Sequence, residues 1–356
     1  MTHPHPTPPR PSLLRAAAAA ASAAAATALA ALTLVAATLT LAPPARADVA
    51  AALDSHILPG FARFATAAEA LATTAAADCR PAALTPAYQA AFDAWMAVGD
   101  LRLGPSETGA LSVAFWPDPR GATPKTLATL IAAEDPAGRD PAAYADVSIA
   151  ARGLFALDML LFDPDFATYA PGSYPCALAA TIAADLATQA RALSDGWSGP
   201  FAATLRSAGE AGNATYLTKA EAQRALYTQI LTSLAFTADK RLGLPLGTFD
   251  APRPTRAEAR RSARPLPNVV QAAEAAHALA TALAGAPLPT ADAALARLRD
   301  SAARIPDPAL QDITDPQARL RVELLQQDLR TLSAAIETDV GSTLGIAPGF
   351  NAQDGD

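Results

Sequence analysis

The chain has 356 residues, with 34 acidic against 27 basic side chains and a formal net charge of −7. An acidic protein has no general electrostatic attraction for nucleic acid, which is excluded as a partner on charge. Only two cysteines are present, neither in a C-x-x-C arrangement, so no redox motif is expected, and the length suffices for one large domain or two of ordinary size.

Residues 1–47 read as a signal peptide: Arg10 and Arg15 precede an Ala/Leu run, and Ala45-Arg46-Ala47 resembles a signal-peptidase site before Asp48. An uncleaved membrane anchor is the alternative. No Cys stands at the cleavage point, which argues against a lipoprotein. Three arginines and no acid lie in this segment, so residues 48–356 carry a net charge near −10. No later stretch is apolar enough to span a bilayer, and the mature chain is expected to be soluble in the periplasm or cell envelope. In that oxidising compartment Cys79 and Cys176 are expected to form a disulfide, with two free thiols as the alternative.

From Asp48 onward the punctuation is that of helices. Thr85-Pro86, Thr123-Pro124 and Asp140-Pro141 each place a capping residue before a proline suited to the first helical turn. Thr218-x-x-Glu221 and Thr255-x-x-Glu258 fit the capping box. Alternating β-branched runs are nearly absent, which predicts an all-α fold. Helices are expected over 48–77, 86–103, 124–134, 141–162, 174–197, 199–211, 219–242, 266–284, 290–304 and 308–340, the last broken at Asp315-Pro316. Two long irregular connections, 104–123 and 243–255, lie between them, and loops of that length are often functional. Asp100-Leu-Arg102-Leu-Gly104-Pro105 is echoed 139 residues later by Asp239-Lys-Arg241-Leu-Gly243-Leu-Pro245. Helix-stop chemistry alone accounts for that echo; the other account is a divergent internal duplication, with helical bundles at 48–197 and 198–345 and a flexible tail at 346–356.

Within 148–162 a lone carboxylate stands among apolar residues. At helical spacing Val147, Ala151, Leu154, Asp158 and Leu161 share a stripe, which points Asp158 into the core. Gly153 costs a helix about 1 kcal/mol relative to Ala, and close approach by another backbone or a ligand is a common reason for it. Asp158 therefore marks either a site or a structural pair with Arg152 or another Arg.

Ala94-Trp95, Arg102-Leu-Gly-Pro105, Phe115-Trp-Pro-Asp118, Gly153-x-Phe155-x-x-Asp158 and Lys240-Arg-Leu-Gly-Leu-Pro-Leu-Gly247, in that order, resemble the imelysin-like family of bacterial envelope proteins. The resemblance implies an all-α fold of two bundles, a link to iron acquisition, and a metallopeptidase name resting on a Gly-x-His-x-x-Glu motif. The corresponding positions here are Gly153, Phe155 and Asp158; Phe155 has no lone pair for a metal, and Asp158 is one methylene shorter than Glu. The cofactor is left open between none and a metal ion, iron or zinc, held at Asp158 with other groups. The available ligands are few. His56 and His277 are the histidines beyond the leader, and Glu107, Asp118, Glu134 and Asp146 are acids near the first long connection.

Phe115-Trp-Pro-Asp118 either packs its loop onto the helices or lines a cleft beside Asp158. Arg102 and Arg152 either pair with buried acids or grip an anion. Glu258-Ala-Arg-Arg-Ser262-Ala-Arg264 is a basic stretch facing a partner or a solvated helix start, and the family has a Glu- and Ser-containing segment there. No Gly-x-Ser-x-Gly, phosphate loop, Gly-x-Gly-x-x-Gly or zinc-finger spacing is present. The expected role is non-catalytic binding of a ligand, or of envelope iron-uptake proteins, in a cleft between the long loops. There Asp158 supplies an acceptor, Gly153 permits close approach, Trp116 and Phe155 form an apolar wall, and Arg102, Arg152, Glu258 and Ser262 a polar rim. A metallopeptidase and a ligand-free envelope scaffold are the alternatives.

Overall fold

A computed structural model describes residues 1–3 and 48–345, except for the side chains of Ser342 and Thr343. The expected leader and C-terminal tail lie outside the described residues, apart from the first three. The fold is all-α, as the capping pattern predicts, and the one β-bridge among the described residues joins Thr248 to Ala251 within a turn.

The principal helices are α1 (Leu58–Ala77), α2 (Pro81–Met96), α3 (Pro105–Val113), α4 (Ala122–Ala133), α5 (Gly153–Phe162), α6 (Tyr174–Gly196), α7 (Lys219–Phe236), α8 (Pro265–Ala284), α9 (Pro289–Ala302) and α10 (Pro316–Leu344). Their ends follow local chemistry. Asp315 accepts from the N–H groups of Gln317 and Ala318 ahead of α10, and Thr218 accepts from Glu221 N to start α7. Gly285, at φ 62°, closes α8 in the left-handed region that favours glycine.

Apart from Asp158, helix α5 is apolar all round and buried, and it lies among α2, α4 and α6. Helices α1, α2 and α6 pack together, as do α7, α8, α9 and α10, while α8 also lies against α2. Asp48 N donates to Leu283 O, tying the start of the 48–345 segment to the end of α8. Cys79 and Cys176 are bonded, with their Cα atoms 5.3 Å apart, joining the start of α2 to the start of α6. No helix among the described residues is long and apolar enough to cross a membrane.

Four local expectations are corrected. The helix expected over 141–162 is broken: Pro141–Tyr144 is helical, Ile149–Ala151 is a 3-10 turn, and α5 begins only at Gly153. Val147 and Ala151 therefore precede the helix that carries Asp158. Helix α2 starts at Pro81 and carries Pro86 inside it, so Thr85 is not its cap. The 104–123 connection contains α3. The Thr255-x-x-Glu258 capping box is not formed, because Glu258 is buried against Arg241.

Candidate functional site

The site grows from the start of α5. Gly153 has φ +70°, and a Cβ there would overlap Val113 O. Only glycine fits at this point, where the end of α3 crosses the start of α5. The close approach expected at Gly153 is thus made by backbone. One turn on, Phe155 and Asp158 face a cavity, the latter only 2 % exposed.

Asp158 has no ion pair within 4.0 Å among the described residues; Ser262 Oγ donates to its Oδ1 at 2.5 Å, and the Tyr88 hydroxyl lies 3.5 Å from the same atom. Burial pushes the Asp158 carboxyl up to about 6, against the Ser262 hydrogen bond and the charges of Arg261 and Arg260, which pull it down. Burial, and then the neighbouring Asp158 charge, push the Tyr88 phenol well above its ordinary value. The Arg260–Ser262 turn that delivers Ser262 is flanked by Ala259 at φ 45° and Ala263 at φ 57°. Alanine in the left-handed region costs about 1–2 kcal/mol, and strain of this kind clusters at functional sites.

The cavity holds about 380 Å³ and lies between Phe115–Pro124 on one side and Lys240–Arg261 on the other, with α5 forming part of its wall. Trp116 stacks on Phe155 with ring centroids 6.4 Å apart and meets Phe236 edge-on at 6.0 Å, so the aromatic segment both packs its loop and lines the cavity. The Trp116–Pro117 peptide is cis. Asp118 turns to α4, accepting from Ala122 N and Thr123 N at 2.9 and 2.8 Å. Thr123 is only 5 % exposed and its Oγ1 has no hydrogen-bond partner, although it borders the cavity. Lys240, Arg256 and Arg261 put positive charge around the opening, and Arg261 is also paired with Asp163.

None of the four expected rim residues borders the cavity, and of them only Ser262 hydrogen-bonds to a side chain that does, that of Asp158. Arg152 turns away, holding buried Asp185 through two hydrogen bonds of 2.9 and 2.7 Å and Ala145 O through a third. The alternative of an Arg152–Asp158 pair is thereby corrected: Asp185 on α6 takes the guanidinium. Arg102 donates to Gly99 O and does not border the cavity. Glu258 is buried and accepts from Arg241 Nε and Asn268 Nδ2, each at 2.9 Å. Arg241 also grips Asp100 with two hydrogen bonds of 2.8 Å. Burial pushes Asp100 up, but the Arg241 guanidinium outweighs it and holds the carboxyl below its ordinary value. Ser262 meets Asp158 from behind the cavity wall.

The donors do not fit a metal centre of the metallopeptidase kind. His56 lies against Ala97 O, and burial lowers its pKa; His277 contacts Asp292 on α9. Glu107, Glu134 and Asp146 are exposed. Among the described residues no group of three or more His, Cys, Asp or Glu side chains gathers that could hold a metal ion. Asp158 instead accepts from neutral hydroxyls in a wall otherwise built by Phe155 and Met159.

Lys240, Arg256 and Thr123 join the site although the sequence assigned none of them to it. Lys240 is the most legible of the three, since it opens the Lys240–Gly247 motif and stands next to Arg241. The π-helical turn Thr237–Leu242 leaves Arg241 buried and Lys240 exposed beside the cavity.

Similarity to known proteins follows the same segments. No curated protein sequence matches the chain. Two crystal structures share the fold. An imelysin-like protein from Psychrobacter arcticum 273-4 superposes with a TM-score of 0.66 at 19 % identity, over 86 % of this chain and 99 % of that one. A protein from Parabacteroides distasonis ATCC 8503, described as an iron-regulated protein A precursor, gives 0.60 at 15 % identity, over 82 % and 94 %. The family model described as Imelysin matches residues 57–336, from the turn before α1 into α10 and through every segment that borders the cavity, and the chain belongs to the imelysin family.

Proposed function

We propose that this protein is a non-catalytic binding protein whose ligand is a small organic molecule held in the cavity between Trp116 and Asp158. The observation that carries this reading is a buried polar wall with unused hydrogen-bonding capacity: the Thr123 hydroxyl is unpartnered beside an aromatic face, and Asp158 is buried without a cation. Residues 1–47 would export the chain, the 48–197 and 198–345 bundles would enclose the cavity, and the binding step would serve iron handling in the periplasm or envelope. The iron link rests on the relative described as iron-regulated. Envelope iron-uptake proteins are the partner class that this role implies. Metal-dependent peptidolysis needs a bound metal and an activated water, and no set of donors among the described residues supports it.

Thermal shift of the purified chain and its Trp116→Ala variant against a panel of small aromatic and aliphatic compounds tests this. Compounds that raise Tm in the native chain and not in the variant are expected. Equal responses from both proteins would place binding elsewhere. Stoichiometric iron or zinc binding lost in a folded Asp158→Ala protein would reinstate the metal reading.

A further inference from the structure

We infer that the ligand is an aromatic carboxylate, its ring laid against the Trp116 and Phe155 wall and its carboxylate drawn to Lys240 and Arg256 at the opening. This rests on the reading of the cavity as a small-molecule site and assigns the chemical class that the site selects.

Three features of the cavity converge on that class. The first is shape: Trp116 is stacked on Phe155 with an interplanar angle of only 13°, and both rings border the cavity together with Phe115, Met159 and Leu244, so the wall there is aromatic and apolar. A flat apolar ring gains most against such a surface, by area burial and by offset stacking. The second is charge. Lys240 and Arg256 border the cavity, both are exposed, and neither is in an ion pair among the described residues. In a chain of net charge −7, two unpaired cations at one opening favour an anion there, and a planar carboxylate suits both a guanidinium fork and an ammonium. The third is the inner wall, where the Thr123 hydroxyl is buried without a partner. That group suits a hydrogen bond to a polar substituent on the ring, replacing the contact it lacks.

The buried acid sharpens the orientation. A carboxylate head pushed inward would meet Asp158, a like charge once it ionises, whereas at the opening it meets Lys240 and Arg256; the other carboxylate of the lining, Asp118, accepts from the N–H groups of Ala122 and Thr123. The head-outward pose is therefore the one that the charges permit.

Titration calorimetry of the full chain with 2-naphthoate, its neutral amide and 2-naphthylmethylammonium tests the assignment. The carboxylate is expected to bind roughly tenfold more tightly than the amide, and the ammonium most weakly. In a Lys240→Gln/Arg256→Gln double variant the carboxylate should fall to the affinity of the amide, with the amide unchanged; both side chains are exposed, so the fold is not at stake. Trp116→Ala should weaken carboxylate and amide together. If carboxylate and amide bind alike, or the double variant keeps the preference, while Trp116→Ala still weakens both, the carboxylate class is wrong and the cavity remains a ligand site. Tighter binding of the ammonium would assign the charge selection to Asp158 and overturn the inference. Failure of all three probes to bind would overturn both the class and the reading it rests on.

Discussion

Asp158 is an acid that the fold buries without neutralising. Its carboxyl titrates at about 6 rather than at the ordinary 3.8, so the folded state carries a penalty once the group ionises. Below both values the group is neutral folded and unfolded, and no penalty exists. Above about pH 6 it is ionised in both states and the whole cost is present; between the two values stability falls as pH rises. Asp158→Asn keeps an oxygen for Ser262 and removes the charge. It is expected to raise stability at pH 8 by about 2–3 kcal/mol, with the gain fading below pH 4. Urea midpoints at the two pH values check this, and a variant less stable than the native chain at pH 8 would show that the charge is compensated. The anomaly of a carboxylate among apolar residues is legible in the sequence, because burial and charge conflict at the level of a single side chain. Its partners are not: Ser262 lies 104 residues away, and nothing in the intervening pattern points back.

The short turn Arg260–Ser262 is the element on which the site depends. It has no helix-length hydrogen-bond ladder, and two alanines in left-handed conformation hold it against α5. Ala263 is exposed, and its strain serves backbone direction rather than packing. Ala263→Gly should therefore stabilise the chain by about 1 kcal/mol, relief of the left-handed strain exceeding the entropy that glycine adds to the unfolded state. Thermal unfolding of the variant measures it, and a lower Tm would mean that the alanine methyl makes a contact worth more than the strain. Sequence patterning misjudges this element for a physical reason. Thr255-x-x-Glu258 has the letters of a capping box, but the Glu258 side chain gains more from the buried guanidinium of Arg241 than it could from an exposed helix end. The break before Gly153 has a similar cause, since local periodicity runs through 147–151 while the crossing of α3 imposes a turn.

Across the molecule, one buried guanidinium links distant parts of the chain. Arg241, after α7, binds Asp100, beyond α2, and Glu258, in the segment that leads to Ser262. The acid of the first Asp-x-Arg segment thus meets the arginine of the second. Arg264 extends the network to Gln89 and Asp93 on α2. Removing the central cation leaves two buried acids uncompensated, and Arg241→Met is expected to cost about 3–5 kcal/mol. Chemical denaturation checks this, with Asp100→Asn in the same background recovering part of the loss. A loss under about 1 kcal/mol would mean that water enters and solvates the acids.

By itself the sequence determined the helical class, the capped starts at Asp140 and Thr218 and the oddity of Gly153 and Asp158, because each follows from the chemistry of residues within a few positions of one another. For Trp116 it left two readings open, packing of its loop and a cleft wall with Phe155. Only the tertiary structure decided that Arg152 belongs to Asp185, that Glu258 belongs to Arg241, and that Lys240, Arg256 and Thr123 border the cavity. Pairings across 17 to 141 residues are set by how buried helices and turns pack and by which acid each buried guanidinium reaches, and no local periodicity encodes that choice.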